Sequence, residues 1–213
     1  MASPHRLHES PAPPTLDPHR SDTPECLAEG TLRVAPLLGL PRLLAAHGMD
    51  ADTVIRGAGC DPACLDDPEN TISFSAMGQL LAHVEASTGC HHIGLELGRP
   101  LGLDVLGLVG QAVRYAPDVG TALRDLTQYL HLHDRGAVPF LRENGSRSMF
   151  GYTIFYRDVS GTEHIYDGAL AIIQNFFIEF IGPGWRASEV CLFRHRPGNI
   201  APYRQHFRTR LRF

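Results

Sequence analysis

Lysine is absent from this 213-residue sequence, and arginine supplies all 19 of its basic side chains. A surplus of positive charge is missing as well, because 23 acidic residues bring the formal net charge to −4. A free-standing nucleic-acid-binding protein normally carries a basic surplus that releases phosphate counterions, so the bulk charge argues against that class. Several of the arginines gather from Arg186 onward, and we interpret this stretch as a solvated, arginine-rich end.

The sequence also lacks an apolar leader and a run that could span a membrane. Its N-terminus is polar and proline-rich. The most apolar stretch, 165–181, is interrupted by four polar residues: Asp167, Gln174, Asn175 and Glu179. The five cysteines are odd in number and scattered, which is not typical of a disulfide framework. We therefore expect reduced thiols in a cytoplasmic protein that has no membrane contact.

Catalytic motifs are missing too: there is no glycine-rich phosphate loop, nucleophile elbow, zincin helix or dinucleotide fingerprint. Cys60 and Cys64 form a loose pair without a second pair. His91 and its two neighbours, Cys90 and His92, point in different directions on a helix and rarely converge on one metal. The sequence therefore predicts no enzyme, no catalytic residue, no metal site and no cofactor.

One weaker pattern could serve acid–base chemistry. His131 and His133 precede Asp134, and a carboxylate can orient a histidine as a general base. The pair also falls at the C-terminal end of a predicted helix, where histidines favour the negative end of the helix dipole. We prefer this second, structural interpretation.

Residues 1–30 hold six of the sixteen prolines and almost no large apolar side chains. Such a segment cannot bury enough surface to offset the entropy of ordering it, so we expect a disordered tail. The tail also contains His5, His8 and His19, which could hold a metal only loosely. The domain proper is expected to extend over residues 31–213.

Helical spacing governs the first two thirds of that domain. Good N-cap residues precede several apolar-periodic stretches, at Asp50 or Asp52, Ser73, Asp104 and Asp118. After Asp118, apolar residues recur at i, i+3, i+4 and i+7 through Leu130, which predicts an amphipathic helix.

The period then changes to that of β-strands. Two runs typical of β-strands, 137–142 and 149–155, flank an Asn-Gly pair typical of a tight hairpin turn. A long helix over 163–181 and strands over 190–193 and 211–213 follow. The predicted fold class is α+β, with N-terminal helices followed by a small antiparallel sheet on which the long helix packs.

Several stretches together resemble a known family. They are Gly94–Gly98, Asp118–Leu126, Val190–Pro197, Tyr203–Phe207 and Leu211–Phe213. In this order and spacing, the sequence resembles the arabinose-binding-type N-terminal domain of AraC-type bacterial transcription regulators, over roughly residues 31–213. The resemblance implies a domain that senses a small-molecule effector and often forms dimers. In the family a domain with two helix-turn-helix units follows, and we expect this chain to end before it, so that it would contact DNA only through a C-terminal domain that it lacks.

Candidate site residues follow from this expectation. A pocket between sheet and helices would be lined by Tyr129, His133, Phe140 and Tyr152. A seam for a homodimer, or for pairing with a full-length relative, would use Ile173, Phe177 and Phe180 on the long helix. The alternative is a free-standing small-molecule-binding protein derived from a truncated regulator.

Overall fold

The computed structural model describes residues 30–156 and 159–213, so the predicted tail lies outside the described residues except for Gly30. The helices are α1 (Leu40–Ala46), α2 (Ala51–Gly57), α3 (Phe74–Thr88), α4 (Ile93–Gly98), α5 (Leu108–Arg114), α6 (Val119–Tyr129), α7 (Thr162–Ile181) and α8 (Ala201–Phe207). The strands are β1 (Thr31–Arg33), β2 (Thr71–Ser73), β3 (Ala137–Asn144), β4 (Arg147–Ile154), β5 (Glu189–Cys191) and β6 (Arg210–Arg212).

Side-chain caps begin three of these helices where the sequence predicts them. Asp50, Ser73 and Asp118 each accept a hydrogen bond from the backbone N–H three residues later. Each bond satisfies a donor that the first turn of a helix leaves without an intrahelical partner.

The predicted cap at Asp104 is wrong. Asp104 lies in a short 3-10 turn, and α5 begins only after Gly107, whose φ of 60° breaks the helical run. The Asp104 carboxylate instead accepts a hydrogen bond from Arg114 at 2.8 Å. The single helix expected from Asp104 to Tyr115 is therefore divided in two.

The α+β class is confirmed, but the strands of the described residues form three separate two-stranded sheets. The predicted β3–β4 hairpin is antiparallel, with Gly145 in its turn at a φ of 58°. β5 and β6 pair in parallel, because α8 crosses over between them. β1 and β2, which pair with each other over only three residues, were not predicted from the sequence.

The long helix α7 packs most closely on α4, through glycines. A Cβ atom added at Gly94 would lie 1.9 Å from the carbonyl oxygen of His164, and one at Gly98 would lie 2.5 Å from that of Gly168. Only residues without a side chain permit this approach of the two backbones. The contact fixes the N-terminal half of α7 relative to the helices that precede the hairpin.

β1 positions the segment that follows α6. The backbone N–H of Arg33 donates to the carbonyl of His133 at 3.0 Å, and the N–H of Arg135 donates to that of Thr31 at 2.8 Å. These bonds fix the backbone of His133 and Asp134 beside β1. Among the described residues, none of the helices combines the length and the apolar character needed to cross a membrane.

Candidate functional site

A cavity of about 100 Å³ lies where α7, α4, the end of α6 and the hairpin meet. Its walls are almost entirely apolar, and seven side chains or backbone positions of α7 contribute to them. They are His164, Ile165, Gly168, Ala169, Ile172, Ile173 and Phe176. Apolar walls with a few polar groups are typical of small-molecule sites, so this cavity is the candidate site.

Asp134 and Tyr152 form a buried polar pair in the cavity wall. The Tyr152 hydroxyl donates a hydrogen bond to one oxygen of the Asp134 carboxylate. The other oxygen accepts from the backbone N–H groups of Gly136 at 2.9 Å and Ala137 at 3.0 Å. Burial raises the pKa of Asp134, although these three donors oppose the rise. Burial, together with the neighbouring Asp134, also raises the pKa of the Tyr152 hydroxyl, so the hydroxyl remains a hydrogen-bond donor.

His133 is a buried, neutral imidazole in the same wall. Burial lowers its pKa to about 4, and the positive charge of Arg33 acts in the same direction. Its Nδ1 atom has no hydrogen-bond partner among the described residues. A buried polar atom without a partner is costly, and a ligand that hydrogen-bonds to it would remove that cost.

His164 is a second imidazole at the cavity, and it is fully buried. Its Nε2 atom lies 2.7 Å from a carboxylate oxygen of Glu85 on α3. Within the described part of the chain, its Nδ1 has no partner. This residue was not predicted from the sequence, because the contact joins positions that are 79 residues apart.

Of the four predicted ligand-binding residues, the structure brings His133 and Tyr152 together at the cavity. Tyr129 and Phe140 do not line it. Tyr129 is 39% exposed at the C-terminus of α6. Phe140 pairs with Gly151, whereas Tyr152 pairs with Pro139, so the alternation of a strand places Phe140 on the opposite face of the hairpin.

The three residues predicted for a dimer seam have intramolecular contacts. Ile173 lines the cavity. The Phe177 ring stacks on Trp185, with 4.4 Å between the ring centroids, and Phe180 packs against Phe176 at 5.0 Å. All three side chains are half-buried, so part of each remains at the surface.

A buried charged triad lies on the other side of α7. Arg194 and the Tyr203 hydroxyl each donate a 2.6 Å hydrogen bond to one oxygen of Asp167. Burial raises the pKa of Asp167, against the opposing effect of Tyr203 and Arg194. Arg194 and Tyr203 come from the C-terminal motif that carries the family resemblance, and Asp167 comes from the apolar stretch. The triad attaches the β5–α8–β6 unit to α7.

The weaker chemical patterns do not assemble as sites of their own. The Asp134 carboxylate is bonded to Tyr152 and to backbone donors, while His131 Nδ1 lies 2.9 Å from the carbonyl of Gln128. The pattern of a histidine oriented by Asp134 is therefore not formed. Cys60 and Cys64 are free thiols, and burial raises the pKa of both, which favours the unreactive protonated form.

The buried His133 predicts a loss of stability in acid. Below pH 6.5 an unfolded histidine takes up a proton, whereas the folded His133 stays neutral until about pH 4. Proton uptake therefore favours unfolding across this window, by up to about 3 kcal/mol. The H133Q variant has no imidazole at this position, so its free energy of unfolding should fall by about 3 kcal/mol less between pH 7 and pH 4.

Chemical denaturation of both proteins across this pH range measures the difference. The opposing contribution of Asp134, whose raised pKa favours the folded state in acid, is common to both proteins and cancels. Equal losses of stability in wild type and H133Q would contradict the buried, neutral state of His133.

Comparison with known proteins places the chain in a family. Residues 48–213 match the family described as "Arabinose-binding domain of AraC transcription regulator, N-term". The chain is 26% identical over 185 residues to the HTH-type transcriptional regulator VirS of Mycobacterium tuberculosis, which covers 85% of this chain and 54% of VirS. It is 30% identical over 87 residues to the ornithine utilization regulator of Pseudomonas aeruginosa, which covers 41% of this chain and 26% of that protein.

The chain thus spans about half the length of VirS, and the proteins that it matches are transcription regulators rather than enzymes. The family match extends over well more than half of the sequence and includes the C-terminal motif that forms the charged triad. The chain belongs to the arabinose-binding N-terminal domain family of AraC transcription regulators.

Proposed function

We propose that this chain is an effector-binding domain of a cytoplasmic AraC-type transcription regulator, and that the cavity under α7 holds the effector. The observation that carries the proposal is the combination of apolar walls with four polar side chains: His133, Asp134, Tyr152 and His164. Two of these carry buried nitrogen atoms that have no partner among the described residues. DNA contact is proposed to belong to a C-terminal helix-turn-helix domain rather than to residues 30–213.

The cavity favours a small and mostly apolar effector with one or two hydrogen-bonding groups. A sugar carries a hydroxyl on nearly every carbon, and most of these hydroxyls would face aliphatic side chains here. Burying a hydroxyl without a partner costs about 1–3 kcal/mol. A sugar would incur this cost at several hydroxyls and would therefore bind poorly. The word "arabinose" in the family description therefore does not describe the effector proposed for this chain.

α7 is the element through which binding would be communicated. It lines the cavity with one face and carries the proposed dimer residues Ile173, Phe177 and Phe180 on an adjoining face. Ile173 belongs to both sets, because it borders the cavity directly. A ligand shifts such a system only through different affinities for two arrangements of α7.

Filling the cavity tests the proposed ligand site. In the A169F variant the added ring would occupy the space beside Gly168 and Ile172. The matched control is A112F, the same substitution at an exposed position on α5. The probes are cyclohexanol, an apolar molecule with one hydroxyl, and L-arabinose.

Cyclohexanol at ten times its dissociation constant should raise the melting temperature of wild type and A112F by about 3 to 6 °C. It should leave the melting temperature of A169F unchanged. L-arabinose should raise none of them. Calorimetric titration should show the same order of binding. A cyclohexanol shift that survives in A169F, or an L-arabinose shift that A169F removes, would overturn the proposed site or its apolar specificity.

Dimerisation through α7 is tested by sedimentation. We propose that wild type is a dimer and that F180E is a monomer, because the substitution places a charge in the proposed seam. L108E is the control, since Leu108 is 80% exposed on α5 and is not one of the proposed seam residues. Circular dichroism establishes that each variant is folded. A monomeric wild type, or an F180E protein that sediments like L108E, would contradict the α7 seam.

A further inference from the structure

Four side chains of the metal-ligating types meet where α3, the turn before α4 and the start of α7 come together. They are Glu85, His91, Glu163 and His164, called here the His–Glu cluster. One oxygen of Glu85 lies 2.6 Å from Nδ1 of His91, and the other lies 2.7 Å from Nε2 of His164. The ligand atoms of Glu85, Glu163 and His164 all lie within 4.8 Å of one another. We infer that the cluster is a binding site for one divalent transition-metal ion of the Zn²⁺ class.

The donor set fits this class of ion. Two imidazole nitrogens with carboxylate oxygens suit borderline metals such as Zn²⁺ better than Mg²⁺ or Ca²⁺, which prefer oxygen ligands alone. Neighbouring ligand atoms in a tetrahedral zinc site are about 3.3 Å apart, since each is about 2.0 Å from the metal. The two hydrogen-bonded separations of 2.6 and 2.7 Å are shorter than that value, and the ligand atoms of Glu85, Glu163 and His164 all lie within 4.8 Å. A bound ion would therefore replace these hydrogen bonds and move the ligand atoms slightly apart.

The side chains of the cluster become more exposed from its base towards the protein surface, so an ion could reach it from solvent. His164 forms its fully buried base, and its backbone is held by the close contact with Gly94. The side chain of Glu85 is 23% exposed, and that of His91 is 70% exposed. An ion can therefore enter from solvent past His91 and reach a rigid imidazole at the bottom.

The Nδ1 atom of His164, which has no partner among the described residues, connects the cluster to the cavity. Metal-ligating histidines coordinate through one ring nitrogen and carry the proton on the other, which then donates a hydrogen bond. With a metal on Nε2, Nδ1 of His164 would become an N–H donor. His164 also lines the cavity, so an oxygen atom of a bound effector could accept this bond. Metal binding would thereby favour effectors that carry such an acceptor.

The test uses the full chain without an affinity tag, titrated with Zn²⁺ in competition with a chromophoric chelator. Wild type should bind one Zn²⁺ per chain. E163Q, at a half-buried position, and H91Q, at an exposed one, should each weaken binding at least tenfold. H131Q is the matched control, because His131 is an exposed histidine remote from the cluster in sequence. A second control replaces His5, His8 and His19, which are the competing histidines of the N-terminal segment.

Zn²⁺ at one hundred times its dissociation constant should raise the melting temperature of wild type by about 5 to 10 °C. Co²⁺ should give the intense visible absorption of a four-coordinate site, and this band should be lost in E163Q. The inference is overturned if wild type binds no Zn²⁺, if E163Q and H91Q bind it as wild type does, or if the triple histidine variant loses it. Failure here leaves the cyclohexanol experiment unaffected, because Ala169 lies outside the cluster.

Discussion

A Cβ atom at Gly94 would lie 1.9 Å from the carbonyl oxygen of His164, and this absence of space between α4 and α7 is the constraint on which the site depends. Because the backbones touch, the N-terminal half of α7 has a single position relative to α3 and α4. That position brings His164 beside Glu85 and leaves the next turns of α7 to line the cavity. The polar and the apolar parts of the site therefore both depend on a contact made by a residue without a side chain.

Buried polar groups fix the two ends of this arrangement. The Asp134–Tyr152 pair joins the segment after α6 to the hairpin, and the Asp167–Arg194–Tyr203 triad joins α7 to the C-terminal unit. Desolvating a buried charge is costly. Removing one partner of a buried pair leaves the other charge uncompensated. The triad thus penalises alternative packings of the N-terminal half of α7 against the C-terminal unit.

Local signals predicted local structure well. The caps at Asp50, Ser73 and Asp118 and the hairpin around Gly145 depend on neighbouring residues only, so the sequence shows them directly. The strands β1 and β2 were missed because three residues are too few to show a period. Phe140 was predicted to line the pocket because aromatic residues suit such a site. The hairpin register places its side chain on the face opposite Tyr152 and away from the cavity.

The candidate site was predictable only where its residues belong to recognisable elements. His133 and Tyr152 follow from the ends of the amphipathic helix and the hairpin. His164 does not, because its partner Glu85 comes from another helix, and His91 was discounted when only its sequence neighbours were considered. The contact between Glu85 and His164 joins residues that are far apart in the sequence, so patterns within single segments do not reveal it.

The central claim is that α7 borders an accessible, mostly apolar cavity, and xenon tests it without knowledge of the effector. Apolar cavities of this kind bind xenon, and isoleucine methyl groups report its presence by NMR. We predict that xenon shifts the methyl signals of Ile165, Ile172 and Ile173 and leaves that of Ile55, a core residue of α2, unchanged. Unchanged signals at all three α7 isoleucines, or shifts of equal size at Ile55, would contradict it.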